Sequence, residues 1–296
     1  MPDDPSQSII TLSIGYSPDA DDAFMWWPLG DSRTGPSVDT GRFRFEHVTG
    51  DIDELNTRAI EVGDLDITAI SMHTYAHVHT HYALTDCGSS MGDGYGPKVV
   101  APKGSMTLEK LTSDGVTVAV PGEKTSAFLG LSMMLGKPFK YARVPFEEIA
   151  PRVASGDFDA GVVIHDAQLT FPELGLELVA DLGEWWKNET GLPMPLGGNA
   201  VSRDLDERLG EGTCAEISGI LRASIEFALA NRGQGLGVAK RFAEGTADAT
   251  IDEFVSMYVN DLTISAGERG ARAVTAFLER GASLGLCPSV GRVEMV

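Results

Sequence analysis

The sequence predicts an α/β protein of two lobes with a ligand cleft between them, and three observations carry this. Residues 9–202 alternate short β-branched or apolar runs with helix-start signals, the pattern of successive βαβ units. Two strand–turn–helix starts, at Ser17 and at Pro121, are each followed by more of the same pattern, so the units fall into two groups. The chain has 296 residues, 43% of them hydrophobic, which is room and material for two medium-sized cores. The crossings are expected near Val99–Lys103 and Leu196–Val201. One lobe is then residues 1–100 with 197–296, and the other is 101–196.

Ile9–Gly15 is a β-branched first strand, and Ala23–Leu29 a short helix after the turn Ser17–Asp22. Phe43–Val48 reads as a strand. Asp51–Val62 reads as a helix with Ile52, Leu55, Ala59, Ile60 and Val62 on one stripe. Asp66–Ser71 is a strand leading into His73–His81, and Val99–Pro102 is short and extended. Val116–Val120 is a strong strand, and Ser126–Leu135 an apolar helix. Tyr141–Pro145 is a strand, Phe146–Ser155 a helix, and Asp159–Ile164 and Leu176–Asp181 are strands. The block GLPMPLGG reads as turns before a short extended Asn199–Ser202. From Leu205 onward the signal is helical: Cys214–Ala230, Gln234–Phe242, Ile251–Asp261 and Glu268–Leu284. Alternation of this kind implies parallel sheets, with ligands at the carboxyl ends of the strands.

A net charge of −20 disfavours nucleic acid and anionic membrane surfaces, which need clustered cations. A small-molecule partner is compatible with it, even an anionic one, because backbone N–H groups at helix N-termini bind anions without a cationic side chain. Cys87, Cys214 and Cys287 are scattered and odd in number, which argues against a disulfide framework. The start MPDDPSQSII lacks the basic and long apolar regions of a secretory signal, and no apolar run reaches membrane-spanning length. These readings predict a cytoplasmic protein. They leave the oligomeric state open.

Several stretches could carry chemistry. In SPDADDAF (17–24), Asp19, Asp21 and Asp22 could bind a metal, or could simply cap a helix and meet its dipole. HTYAHVHTH (73–81) has i, i+4 histidines, but Thr74 stands where a zinc peptidase needs glutamate. Among these, His73 lies nearest a strand end and is the one expected to face the crevice. In AVPGEKTSAFLGL (119–131), Thr125 and Ser126 open a helix and suit an anion, although the P-loop spacing is absent. His165 ends an apolar strand. Either it is bonded to backbone or it is a general base at the cleft, since imidazole accepts a proton near neutral pH. Trp185 and Trp186 with two proline turns read either as an aromatic wall or as hinge packing.

In combination these stretches resemble a known family. IHDAQLTF (164–171) is similar to its IHE-x-x-x-TY segment, and LGEWWKNETGLPMPLG (182–197) to its LGxWWxxxTGLPLPLG segment. YSPDADDAF resembles SPCPNDTF, VPGEKTSA resembles V-x-PGxxTTA, and the strand DITAIS with its following residues resembles a D-(I/V)-T-K-(L/I)-S-x-x-A-Y segment. The matches run in order over residues 10–205. The family is that of the 1,4-dihydroxy-6-naphthoate synthases of the futalosine route to menaquinone. The resemblance implies a type II periplasmic-binding-protein-like fold. It implies a carbon–carbon lyase acting on cyclic de-hypoxanthine futalosine with no metal or organic cofactor. It also implies His165 as base and Asp22, Ser71, Thr125, Ser126, Leu196 and Gly197 as substrate contacts. The chain departs from the pattern where Asp19 and Asp21 replace a cysteine and an asparagine, and where Asp166 and Phe171 replace glutamate and tyrosine. Two other readings share the fold: a non-catalytic solute-binding protein and a chorismate dehydratase.

Overall fold

Strand β1 (Ile10–Tyr16) opens the first sheet, and it hands the chain to α1 (Ala20–Trp26) through the turn Ser17–Asp19. The computed structural model describes residues 9–30, 35–243 and 245–296. The expectation about the first eight residues lies outside these. β2 (Phe43–Thr49) pairs in parallel with β1. A capping box at Asp51 and Glu54 then starts α2 (Ile52–Glu61), and β3 (Ile67–Ser71) pairs in parallel with β1 on its other side. The histidine-rich run becomes helix α3 (Met72–Val78) directly after β3, followed by the short strands β4 (Tyr82–Leu84) and β5 (Ser90–Gly92).

The second sheet begins with β6 (Lys98–Pro102). It continues with β7 (Val118–Val120), α4 (Ser126–Leu135), β8 (Tyr141–Arg143), α5 (Phe146–Ala154) and β9 (Ala160–Val163). The short helix α6 (Ala167–Thr170), β10 (Leu176–Asp181) and α7 (Leu182–Thr190) complete this lobe. β11 (Met194–Ser202) returns to the first sheet. The C-terminal part is α8 (Asp204–Leu209), α9 (Thr213–Ala230), α10 (Arg232–Ala239), α11 (Asp248–Tyr258), α12 (Asp261–Ile264) and α13 (Gly267–Ser283).

The strand orders are β2-β1-β3-β11-β4, with β5 also on β11, and β10-β6-β9-β7-β8. Two sheets give the two-lobe α/β architecture that alternation predicts. Both are mixed rather than parallel. β11 runs antiparallel to β3, β4 and β5 because it arrives from the other lobe, and β6 runs antiparallel to β9 and β10 for the same reason. The run read as turns, GLPMPLGG, is mostly strand, and DLGEWWKNET is mostly helix. Asp181 caps that helix by accepting from Gly183 N at 2.9 Å and Glu184 N at 3.1 Å, and Gly191 closes it in the left-handed region. α9 and α11 pack on the first sheet, whereas α3, α4, α7 and α13 share a core that takes residues from both sheets. Among the described residues no helix is long and apolar enough to cross a membrane.

The lobes meet through specific polar contacts. Arg143 of β8 pairs with Asp53 of α2. The Tyr258 hydroxyl donates to Gln168 Oε1 at 2.9 Å, and that of Thr246 donates to Asp166 Oδ2 at 3.0 Å. Gly122, at φ +154°, lies against Asp53, and a Cβ built there would fall 2.1 Å from Asp53 Oδ1. Gly122→Ala is therefore expected to push the lobes apart at this point. It should cost about 1–3 kcal/mol of stability by overpacking, read as a lowered denaturation midpoint with the secondary structure retained.

Candidate active site

A cavity lies between the lobes at the strand ends, where ligands of such folds are expected to sit. The polar residues lining it include Ser17, Asp19, Asp21, Asp22, Ser71, Thr125, Ser126, His165, Gln168, Asn199 and Tyr258, with Leu196 and Gly197 on β11. Every residue singled out from the sequence as base or substrate contact therefore lines one cavity. Five elements bring them together: the first turn of α1, the β3 end, the α4 start, the β9 end and β11.

His165 follows β9 and is the one non-glycine residue with positive φ (54°) among the described residues. A left-handed conformation is costly for a side-chain-bearing residue and persists only where the surroundings hold it. Here they do. Its ring lies between Phe146 (centroids 4.3 Å) and Phe254 (6.4 Å), and Nδ1 is 3.0 Å from Asp19 Oδ2. The other nitrogen, Nε2, is buried without a protein partner. Burial alone pushes the imidazole pKa down. The charge of Asp19 and its hydrogen bond push it up, assisted by Asp166 and Asp51, and the net direction is up. For Asp19 burial acts upward, but His165 outweighs it and holds the carboxyl below its usual range. The two shifts describe a single ion pair.

Asp19 also caps α1, its Oδ1 accepting from Asp22 N at 3.3 Å. Asp22 turns away from the imidazole to receive Ser17 N at 3.0 Å and Trp26 Nε1 at 3.3 Å. Burial and then the Asp19 charge raise its pKa to about 8. Asp21 is pushed well upward by burial, by Asp19 and by Asp22, and its Oδ1 is buried without a partner. Donor atoms of Asp19, Asp21 and His165 lie within 4.8 Å of one another, close enough to share an ion. Two of the three are already engaged with each other through the Nδ1 proton.

Ser71 is braced by the fully buried Asn56, which accepts from Ser71 N at 2.9 Å and donates to Ser71 Oγ at 3.0 Å. That brace leaves the hydroxyl proton of Ser71 to donate elsewhere. The hydroxyl protons of Thr125 and Ser126 are committed differently. Thr125 donates to Gly122 O at 2.7 Å and accepts from Phe128 N, while Ser126 donates to Leu196 O at 2.5 Å and accepts from His73 N at 3.3 Å. What this turn offers a ligand is the first N–H groups of α4, which have no acceptor within the helix, and the positive end of its dipole.

One sequence expectation changes, and one pair of alternatives resolves toward packing. His73 does not line the cavity. It is buried beneath the α4 start, where burial, then Lys124 and His77, lower its pKa to about 4 and keep it neutral. Trp185 and Trp186 lie on α7 and not on the cavity wall, because Trp186 turns into the core against Phe277. The aromatic wall is supplied instead by Phe254 and Tyr258 of α11, with Gln168 and Asn199 as further polar lining. Asn199 donates to Gly88 O at 3.1 Å, leaving its Oδ1 buried without a partner. The i, i+4 spacing of Phe254 and Tyr258 is visible in the sequence, but nothing local says that this face of α11 meets the second lobe.

The comparisons with known proteins agree with this architecture. Residues 12–283 match the family model described as menaquinone biosynthesis. A 1,4-dihydroxy-6-naphtoate synthase of Thermus thermophilus is 36% identical over 275 residues, covering 93% of this chain and 95% of the relative. The enzyme of that name from Streptomyces coelicolor is 34% identical over 288 residues, covering 95% and 96%. A crystal structure of an Archaeoglobus fulgidus protein superposes with a TM-score of 0.82 at 36% identity, covering 93% of this chain and 98% of that one. The alkanesulfonate-binding protein of Xanthomonas axonopodis, with a TM-score of 0.69 at 14% identity and 97% of both chains covered, shares the periplasmic-binding-protein fold. With the family model spanning most of its length and two named synthases matched almost end to end, the chain belongs to the menaquinone-biosynthesis family of the 1,4-dihydroxy-6-naphthoate synthases.

Proposed function

We propose that this protein is a 1,4-dihydroxy-6-naphthoate synthase, a carbon–carbon lyase that converts cyclic de-hypoxanthine futalosine to 1,4-dihydroxy-6-naphthoate, with His165 as general base. The observation that carries the reading is the unpartnered Nε2 of His165, a residue that lines the cavity, opposite an Nδ1 held by Asp19. An imidazole so arranged accepts a proton at neutral pH. Removing a proton from the substrate lets a carbon–carbon bond break, the new ring become aromatic, and the sugar-derived fragment leave. A cavity closed by two lobes keeps substrate and base in register and limits water.

The product is a carboxylate, yet among the described residues no lysine or arginine lines the cavity. In this reading the carboxylate is received by the N-terminus of α4 at Ser126 and Ala127, with the Ser71 hydroxyl as a further donor. Asp22 holds the β1–α1 turn, while Leu196 and Gly197 form a backbone edge against the ligand. Residues 1–100 with 197–296 form one closing unit and 101–196 the other. In this reading the compartment is the cytoplasm.

The direct test is to mix the purified protein with cyclic de-hypoxanthine futalosine and follow the naphthoate by chromatography. Product formation supports the assignment. Well-folded protein that binds the substrate and returns it unchanged would instead mark a solute-binding protein of the same fold.

A further inference from the structure

We propose that Asp19 is the positioning residue for His165, and that it completes the base across the cleft because the two residues belong to different lobes. The proposal rests on the reading of His165 as the base. Asp19 caps α1 on the first sheet, and His165 follows β9 of the second. One carboxylate oxygen of Asp19 is tied to its own lobe through Asp22 N, and the other reaches His165 Nδ1 at 3.0 Å. Accepting from Nδ1–H fixes the tautomer, so Nε2 is the nitrogen whose lone pair is left to take a proton. The carboxylate also stabilises the imidazolium that forms when the base takes its proton, as in the aspartate–histidine pairs of hydrolases.

Among the described residues no other group takes this role. Asp166 lies next to His165 in sequence, but its Oδ2 accepts from Thr246 and its backbone carbonyl accepts from Leu169 and Thr170. Asp51 acts on the ring only through its charge, and Asp22 is bonded to Ser17 and Trp26. Phe146 and Phe254 flank the ring and give no polar contact. Asp19 is also where this chain departs from the SPCPNDTF pattern, with a carboxylate in place of a thiol. Separation of the lobes would part Asp19 from His165, so the complete base exists only in the arrangement that also encloses substrate.

Asp19→Ser tests the idea cleanly. Serine is as good an N-cap as aspartate, so α1 stays capped, but its side chain is too short to reach the ring. The expected result is a folded protein whose kcat falls on the order of 10²-fold with KM within about threefold. Removing the negative neighbour lowers the imidazole pKa, so the acid limb of kcat/KM should move to lower pH. Asp19→Asn, which keeps a neutral acceptor, should show the same displacement of the limb with a smaller loss of kcat. Folded Asp19→Ser with wild-type kcat and an unmoved limb overturns the proposal while leaving His165 as base intact. Nitrogen-15 histidine NMR of the full chain, with His165 assigned through a His165→Asn sample, separates the two readings. If the wild type makes no product, a lower imidazole pKa in Asp19→Ser still supports the pairing, and an unchanged one overturns it.

Discussion

His165→Asn is expected to lower kcat by about 10²- to 10⁴-fold, the usual contribution of a positioned general base, with KM little changed. Asparagine is the appropriate replacement. It tolerates the left-handed backbone at φ 54° better than other non-glycine residues, so loss of activity would not reflect a distorted strand end, and it cannot accept the proton. In the wild type kcat/KM should rise with pH and level off, because only the neutral imidazole is a base. The rise should be centred above the ordinary imidazole value of about 6.5, since the Asp19 pair shifts His165 upward. In the variant that limb should vanish. Near-wild-type turnover by folded His165→Asn would remove the histidine from the mechanism.

The same pair predicts the form of a stability difference. His165 has a raised pKa in the folded protein, so its contribution is full below the unfolded imidazole value and fades as pH rises through the folded one. Asp19 has a lowered pKa, so its contribution is full above the unfolded carboxyl value and fades as pH falls through the folded one. Wild type minus His165→Asn should therefore be largest between about pH 4 and about pH 6.5, and should shrink on either side.

Much of this was legible in the chain because the signals are local. The Thr125 cap and Gly136 bracket α4 with no help from the rest of the fold, and Leu176–Asp181 is the strand its composition describes. His165 at a strand end needed only the rule that strand ends face the cleft. The pairing of Asp19 with His165 was not legible. The acidic turn announces a cap, and a cap it is, but that one of its oxygens crosses to residue 165 depends on how two lobes close. His73 misled for the converse reason. It also follows a strand end, but α4 and the return of β11 cover it. The strand character of Met194–Gly198 was hidden by its prolines and glycines. It forms because β5 and β3 offer partners that are distant in sequence.

Trp186→Ala should be among the most damaging single changes to stability, costing about 3–5 kcal/mol. Trp186 is fully buried, packs edge-on against Phe277 at 5.3 Å, and donates from Nε1 to Pro193 O at 3.1 Å. Truncation leaves a large void between α7 and α13, and it leaves the Pro193 carbonyl without its donor. That carbonyl immediately precedes β11, whose Leu196 and Gly197 edge the cavity and whose Leu196 carbonyl anchors Ser126. The loss should therefore spread from the core to the ligand site. A denaturation midpoint well below wild type, with weaker substrate binding at temperatures where the variant is still folded, is the expected pair of results. Trp186→Phe separates the causes. It keeps most of the ring volume and loses only the hydrogen bond, so it should recover most of the stability if packing dominates. Recovery of little would mean that the Pro193 contact, and the strand it positions, carries the larger share.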